Sequence, residues 1–228
     1  MSAHNPGITY HPNMIQGTDE WLAARCGLLT ASEMKLILTP TLKVASNEKE
    51  RAHLYELLAQ RVTNHVEPHF ISDDMLRGWE DENAARALYA EKFAPVEEVG
   101  FITNNTWGFT LGYSPDGLVG DDGLIEIKSR RQKFQAETII EGRIPADYAL
   151  QVQAGLLVSG REWLDFISYS GGMPLVVIRA YPDRDIQNAI ITAAEAFERR
   201  LAENLERYQA AAERLVPTER RVEQEIRV

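Results

Sequence analysis

Asp116, Glu126 and Lys128 gather in the stretch SPDGLVGDDGLIEIKS, residues 114–129. Asp116 follows Pro115 at the start of one short extended run, and the turn from Gly120 to Gly123 sends the chain back into LIEIK. Glu126 and Lys128 are two residues apart, so on a strand they share a face while Ile125 and Ile127 take the other. Paired carboxylates supply hard oxygen ligands for Mg²⁺, and such an ion polarises a phosphodiester and acidifies a bound water. A lysine beside them, kept charged by its acidic neighbours, would orient that water or stabilise charge building on phosphorus. The alternative without chemistry is a solvent-facing hairpin with an ordinary Glu–Lys pair.

Such a hairpin needs elements to hold it. Thr18-Asp19-Glu20 has the pattern of a cap and acidic first turn for a short helix carrying Trp21, Leu22 and Arg25, and a second short helix starts at Ser32. From Asn47 to Val62, Leu54, Leu57, Leu58 and Val62 recur at helical spacing. Ser72-Asp73-Asp74 caps a further helix ending before Pro95; its stripe of Met75 and Trp79 continues onto Glu82, aiming a carboxylate at the body of the domain. VEEVGFI, WGFTLGYS, DGLVG and GLIEIKS read as glycine-punctuated strands, followed by helices over Arg131–Ile140 and Ala146–Leu157. EWLDFISYS and PLVVIRAYP are two more strands, the second apolar enough for a central place. From Asp183 one long helix lines up Ile186, Ala189, Ile190, Ala193, Phe197, Leu201 and Leu205. Its interleaved Glu and Arg fit either a solvated surface or a subunit contact. The pattern is an α/β domain spanning 1–228, with an irregular arm over 1–17 and a frayed tail over 217–228.

The composition narrows the classes. No apolar run is long enough to cross a bilayer and the first residues lack a signal-peptide core, which predicts an intracellular protein without membrane attachment. Cys26 is the single cysteine, so thiolate clusters and an intrachain disulfide are excluded, and it reads as a packing residue. His11, His53, His65 and His69 lack zinc-ligand spacing, and no phosphate-cradling glycine loop of the ATP-consuming kind occurs. The net charge of −10 disfavours a module that binds nucleic acid by its surface alone. It weighs less against an enzyme whose carboxylates are partly neutralised by metal.

Pro115-Asp116 with Glu126-Ile127-Lys128 resembles the PD-(D/E)XK nuclease signature, and longer blocks resemble the phage lambda exonuclease and YqaJ-type viral recombinase family. The blocks are QGTDEWLAARCGLLTAS (Gln16 to Ser32), GWEDENAAR (Gly78 to Arg86), SPDGL with LIEIKS, and ALQVQAGLLVSG, which occur in family order. The resemblance implies a restriction-endonuclease-like α/β core, a central mixed sheet flanked by helices with a long C-terminal helix. It implies Asp116, Glu126 and Glu82 as metal ligands, with the Ile127 carbonyl reaching a metal and Lys128 as the catalytic lysine. Gln151 matches the glutamine of the active centre, with Gln153 the alternative in a shifted register. Arg25, Ser32 and Ser114 match a pocket for a terminal 5′-phosphate, a role that suits guanidinium and hydroxyl donors. Arg130, Arg131 and Lys133, just beyond the catalytic strand, are candidates for DNA-backbone contact.

The implied activity is a 5′-to-3′ exonuclease on linear double-stranded DNA using Mg²⁺ or Mn²⁺, with two ions favoured over one. Mononucleotides are released and a 3′ overhang remains. Implied partners are DNA ends, two further copies of the chain in a homotrimeric ring and a single-strand annealing protein, in a bacterial cytoplasm with a phage or prophage gene. Two other readings stay open: an endonuclease on the same core, and a non-catalytic DNA-binding or assembly subunit. A preference for 5′-phosphorylated ends separates the first from an exonuclease, and metal-dependent turnover separates the second.

Overall fold

The computed structural model describes residues 6–67 and 73–220. Its strands are β1 (Ile8–His11), β2 (Leu29–Thr30), β3 (Phe101–Asn104), β4 (Leu111–Tyr113), β5 (Gly117–Val119), β6 (Gly123–Ser129), β7 (Trp163–Tyr169) and β8 (Val176–Ala180). The helices are α1 (Asp19–Arg25), α2 (Met34–Ile37), α3 (Glu48–Thr63), α4 (Asp73–Lys92), α5 (Gln132–Glu141), α6 (Ala146–Ser159) and α7 (Arg184–Ala212). The helix starts follow the capping chemistry of the sequence. Thr18 Oγ1 accepts from Trp21 N, Asn47 Oδ1 from Glu50 N, and Asp183 Oδ1 from the N–H groups of Asp185 and Ile186. Ser72, the expected cap of α4, lies outside the described residues, as do the side chain of Met75 and the ends 1–5 and 221–228.

The expected mixed α/β architecture is present, with helices flanking mixed sheet and a long C-terminal α7; the strands form two four-stranded sheets, in the orders β1-β3-β4-β2 and β5-β6-β7-β8. Within them β2 runs parallel to β4 and β6 parallel to β7, while the other pairings are antiparallel. The chain crosses from the first sheet to the second at Ser114-Pro115-Asp116, between β4 and β5. That crossing brings the ends of both sheets to one place. Helices α5 and α6 form the connection between the parallel strands β6 and β7, so α6 is delivered to the same region.

Three expectations are corrected. Ile8–His11, assigned to an irregular arm, pairs antiparallel with β3, because Ile8 and Tyr10 find apolar partners in the main core although a four-residue run has almost no period to read. β8 lies at a sheet edge rather than centrally; β6 and β7 hold the inner positions, and Arg179 of β8 stacks 3.7 Å over Trp163 and pairs with Asp165. On α4 the inward face is Glu82, Ala85 and Tyr89, whereas Trp79 is 50% exposed.

Alternation along β6 sorts the core in two. Ile125 and Ile127 pack with Val119, Ile167, Ala85 and Tyr89 beneath α4. Leu124, Leu164 and Phe166 face the other way, toward the buried sides of α6, α7 and α3 and the first sheet. A strand buried on both faces reads as nearly continuous apolar sequence, so the Glu126 that interrupts it must be paired or functional.

Candidate active site

Glu126 is 2% exposed and lies on the α6 side of β6. Both its oxygens are engaged. Oε1 accepts from Lys128 Nζ at 2.7 Å and from Gln151 Nε2 at 2.5 Å, and Oε2 accepts from the Tyr113 hydroxyl at 2.8 Å. A surface Glu–Lys pair is thereby excluded. Of the two candidate glutamines it is Gln151 that meets Glu126, while Gln153 turns away, donating to Tyr181 O and accepting from Asp183 N.

Asp116 comes from the sheet-to-sheet crossing. Its Oδ2 accepts from Ile127 N at 2.5 Å, and its own N–H reaches Ile125 O at 3.3 Å, so the backbone fixes it beside β6. Glu82 approaches from α4, where Arg86 one turn on holds its Oε1 at 2.5 Å. Arg86 Nε also donates to Asp116 O at 2.8 Å, tying the helix to the crossing.

These charges act on one another. Burial pushes the Asp116 carboxyl well above the usual range, and the neighbouring Glu126 and Glu82 push it further. Burial likewise raises Glu82 against the opposing pull of Arg86. For Lys128 burial disfavours the charge, but Glu126 and Asp116 outweigh it and hold the ammonium above the ordinary lysine value. Tyr113, fully enclosed, is raised by burial and by both carboxylates, so its phenol stays a donor.

Arg25 reaches from α1 to the end of β4. Nη1 donates to Ser114 Oγ at 3.2 Å, Nη2 to Thr30 Oγ1 at 3.2 Å, and the guanidinium lies 4.4 Å over the Trp21 ring. Trp21 Nε1 donates to the same Ser114 hydroxyl at 2.9 Å. A cavity of about 180 Å³ is lined by Arg25, Ser32 and Ser114 together with Asp116, Glu126, Lys128 and Gln151. The phosphate-type donors and the carboxylates therefore share one space.

Arg130 and Arg131 line a neighbouring cavity instead, separated by Tyr148, which accepts from Arg130 Nη1 at 3.0 Å and lies 5.5 Å below Lys128 Nζ. Lys133 stacks on Phe134 at 4.6 Å.

The sequence matches the profile of the YqaJ-like viral recombinase domain over residues 20–162. The chain belongs to that family. An alkaline exonuclease from Laribacter hongkongensis is 35% identical, with a TM-score of 0.77, over 87% of this chain and 100% of that one. Its complex with dAMP gives 36% identity and a TM-score of 0.78 over the same shares. A phage related exonuclease from Haemophilus somnus shares the fold, with a TM-score of 0.56 at 12% identity, over 78% of this chain and 96% of that one. No curated protein sequence matches. Family membership places the chain among nucleases that act on DNA.

In this family member several site residues escape a reading by motif. Tyr113 looks like a strand aromatic until Gly155 is placed opposite it: a Cβ there would sit 2.7 Å from the ring, so the helix comes this close only with glycine. Arg86 was visible as the last letter of GWEDENAAR and one turn from Glu82, a signal of pairing. Thr30 and His53 gave none.

His53, on α3, is 3% exposed, with Nδ1 3.1 Å from Glu56 Oε2 and Nε2 3.6 Å from Glu33 Oε2. Burial alone would discharge both His53 and Glu33, but their mutual attraction prevails: His53 is raised from its ordinary 6.5 and Glu33 lowered from its ordinary 4.5. The Glu33 contribution to stability is complete above 4.5 and disappears as pH falls through its lowered value; that of His53 is complete below 6.5 and disappears as pH rises through its raised value. The pair stabilises most between those limits. Urea midpoints followed from about pH 5 to about pH 9 should decline less steeply for His53→Gln than for the parent, and equal slopes would count against the pairing.

Proposed function

We propose that this protein is a Mg²⁺-dependent 5′-to-3′ exonuclease that takes linear double-stranded DNA by a 5′-phosphate and releases mononucleotides. The single observation behind this reading is the shared cavity: an arginine-and-hydroxyl pocket at one end and buried carboxylates with a lysine at the other. A terminal phosphate held by Arg25, Ser32 and Ser114 sets the first phosphodiester against Asp116, Glu126 and Lys128. A mononucleotide product suits the relative's complex with dAMP.

The donor chemistry fits a divalent cation. Asp116 and Glu126 share the cavity while Glu82, outside its lining and bound to Arg86, still acts on Asp116; burial and both neighbours drive Asp116 toward its neutral form, and a cation offsets that excess charge. Among the described residues no group of three His, Cys, Asp or Glu side chains forms a ready-made cage. Asp116 and Glu126 would hold the ion together with the Ile127 carbonyl and water oxygens, Glu82 completing the shell, and the space suits one ion or two. When bound, Mg²⁺ or Mn²⁺ supplies an acidified water and neutralises charge on the scissile phosphate. Lys128 stays protonated and stabilises the charge that builds on phosphorus, while Gln151 and Tyr113 hold Glu126 in place. Arg130 and Arg131 of the neighbouring cavity, with Lys133, are the candidates for contact with the DNA backbone beyond the first phosphodiester.

Degradation of one strand leaves a 3′ overhang suited to a single-strand annealing partner in recombination. A homotrimeric ring around DNA would let an acidic chain stay on its substrate with steering charge confined to the channel. The setting is a bacterial cytoplasm with a phage or prophage gene; no helix among the described residues is long and apolar enough to cross a membrane.

The test is mononucleotide release from linear duplex carrying a 5′-phosphate or a 5′-hydroxyl, with Mg²⁺ or EDTA, and from closed circles. Release should need Mg²⁺, favour the phosphorylated end and spare the circle. Cleavage of the closed circle would sink the exonuclease reading in favour of an endonuclease.

A further inference from the structure

Behind Arg25 lies a buried polar chain that the reaction does not use directly. Thr30 is 2% exposed; its N–H and its hydroxyl both reach Glu33 Oε2, at 2.8 and 3.0 Å. A carboxylate only accepts, so the hydroxyl proton of Thr30 points to Glu33. The Thr30 oxygen is then left as an acceptor, the role it plays toward Arg25 Nη2 at 3.2 Å. Ser32 Oγ stands 3.3 Å from the same oxygen and must be the donor in that contact. On the far side of Glu33, His53 Nε2 faces the shared oxygen at 3.6 Å, and the imidazole is wedged against Phe197 with ring centres 5.7 Å apart.

We infer that Glu33, backed by His53, is a positioning residue for the 5′-phosphate pocket, orienting the Thr30 hydroxyl so that it fixes the guanidinium of Arg25. The inference rests on the reading of Arg25 as the phosphate ligand. A guanidinium tethered at Nη1 by Ser114 and at Nη2 by Thr30 presents its remaining N–H groups in one fixed fork, which is what a tetrahedral phosphate discriminates. Loss of the tether would let the guanidinium swing over the Trp21 ring, and the entropy of fixing it would fall on substrate binding. The competing role for Glu33 is a plain cap of the Ala31–Glu33 turn, through its bond from Thr30 N. A cap would affect stability, and it would affect both kinds of DNA end equally.

The experiment compares the full-length parent with Glu33→Gln, Thr30→Val and Thr30→Ser, measuring KM and kcat on linear duplexes with 5′-phosphate and 5′-hydroxyl ends. Glutamine keeps a carbonyl that can accept from Thr30 N and Oγ1 but removes the charge that strengthens both bonds and faces His53, valine removes the hydroxyl itself, and serine keeps it. Glu33→Gln and Thr30→Val should each raise KM for phosphorylated ends about tenfold, the worth of a hydrogen bond to a charged group. The preference for phosphate should fall in proportion, with kcat of Glu33→Gln held and Thr30→Ser close to the parent. If Glu33→Gln folds poorly, Thr30→Val carries the same comparison. Parent-like preference in both, or equal losses on both ends, overturns the positioning role. A parent indifferent to the phosphate instead overturns the pocket reading on which it rests.

Discussion

Replacement of Asp116 by asparagine should leave a folded protein that releases nucleotides from duplex ends about a thousandfold more slowly. The amide oxygen can still accept from Ile127 N, so the join between the two sheets survives. What is lost is the negative charge at the point where Glu126 and Glu82 also converge, and with it the hold on a divalent ion. Matched circular dichroism and urea midpoints with abolished release would assign the loss to chemistry. Retention of activity within about tenfold of the parent would remove Asp116 from the ligand set and with it the proposed centre.

The largest effect on stability is expected at Phe197. Its ring is fully buried in the main core between α7 and α3 and lies against His53. Truncation to alanine removes an aromatic side chain from a site that cannot collapse, because the neighbouring helix is anchored by Arg61 to Glu198 at 2.7 Å and by Arg200 to Glu50 at 2.8 Å. Unfolding free energy should drop by about 3–5 kcal/mol. Equilibrium urea denaturation reads this directly, and a loss below about 1 kcal/mol would mean that α7 adds little to the core.

How much of this was legible in sequence follows from the range of each interaction. The hairpin from Asp116 to Lys128 is local: spacing and turn residues sufficed to put Glu126 and Lys128 on one face, and the structure has them there. The long helix was equally open, since Ile190, Ala193, Phe197 and Leu201 repeat at its period and are all buried. Glu82 was singled out for a partly wrong reason. Its carboxylate does turn inward, but with Ala85 and Tyr89, while Trp79 of the assumed stripe stands half in solvent.

What stayed hidden depends on contacts distant in the chain. Tyr113 meets Glu126 only after β4 and β6 are placed in different sheets, and Ile8–His11 becomes a strand only because β3 offers an edge. The apolar run of β8 read as central since hydrophobicity reports burial, not the number of neighbours; Arg179 and Asp165 were the better signal of an edge. Arg25, Ser32 and Ser114 came from family resemblance, and taken by residue type alone each would pass for a surface or turn residue.

The seating of α7 has a practical side for anyone who would take the protein apart. The helix that closes over α3 holds Phe197 against His53, His53 faces Glu33, and Glu33 reaches through Thr30 to Arg25, near the start of the chain. The sequence blocks shared with the family all end by Gly160, yet a fragment cut there would lack β7, the parallel partner of β6, and the Phe197 contact that backs His53. Fusion partners and affinity handles belong beyond Ala212, where the helix has ended, because Ile190, Ala193, Ala194, Phe197 and Leu201 before it are all buried.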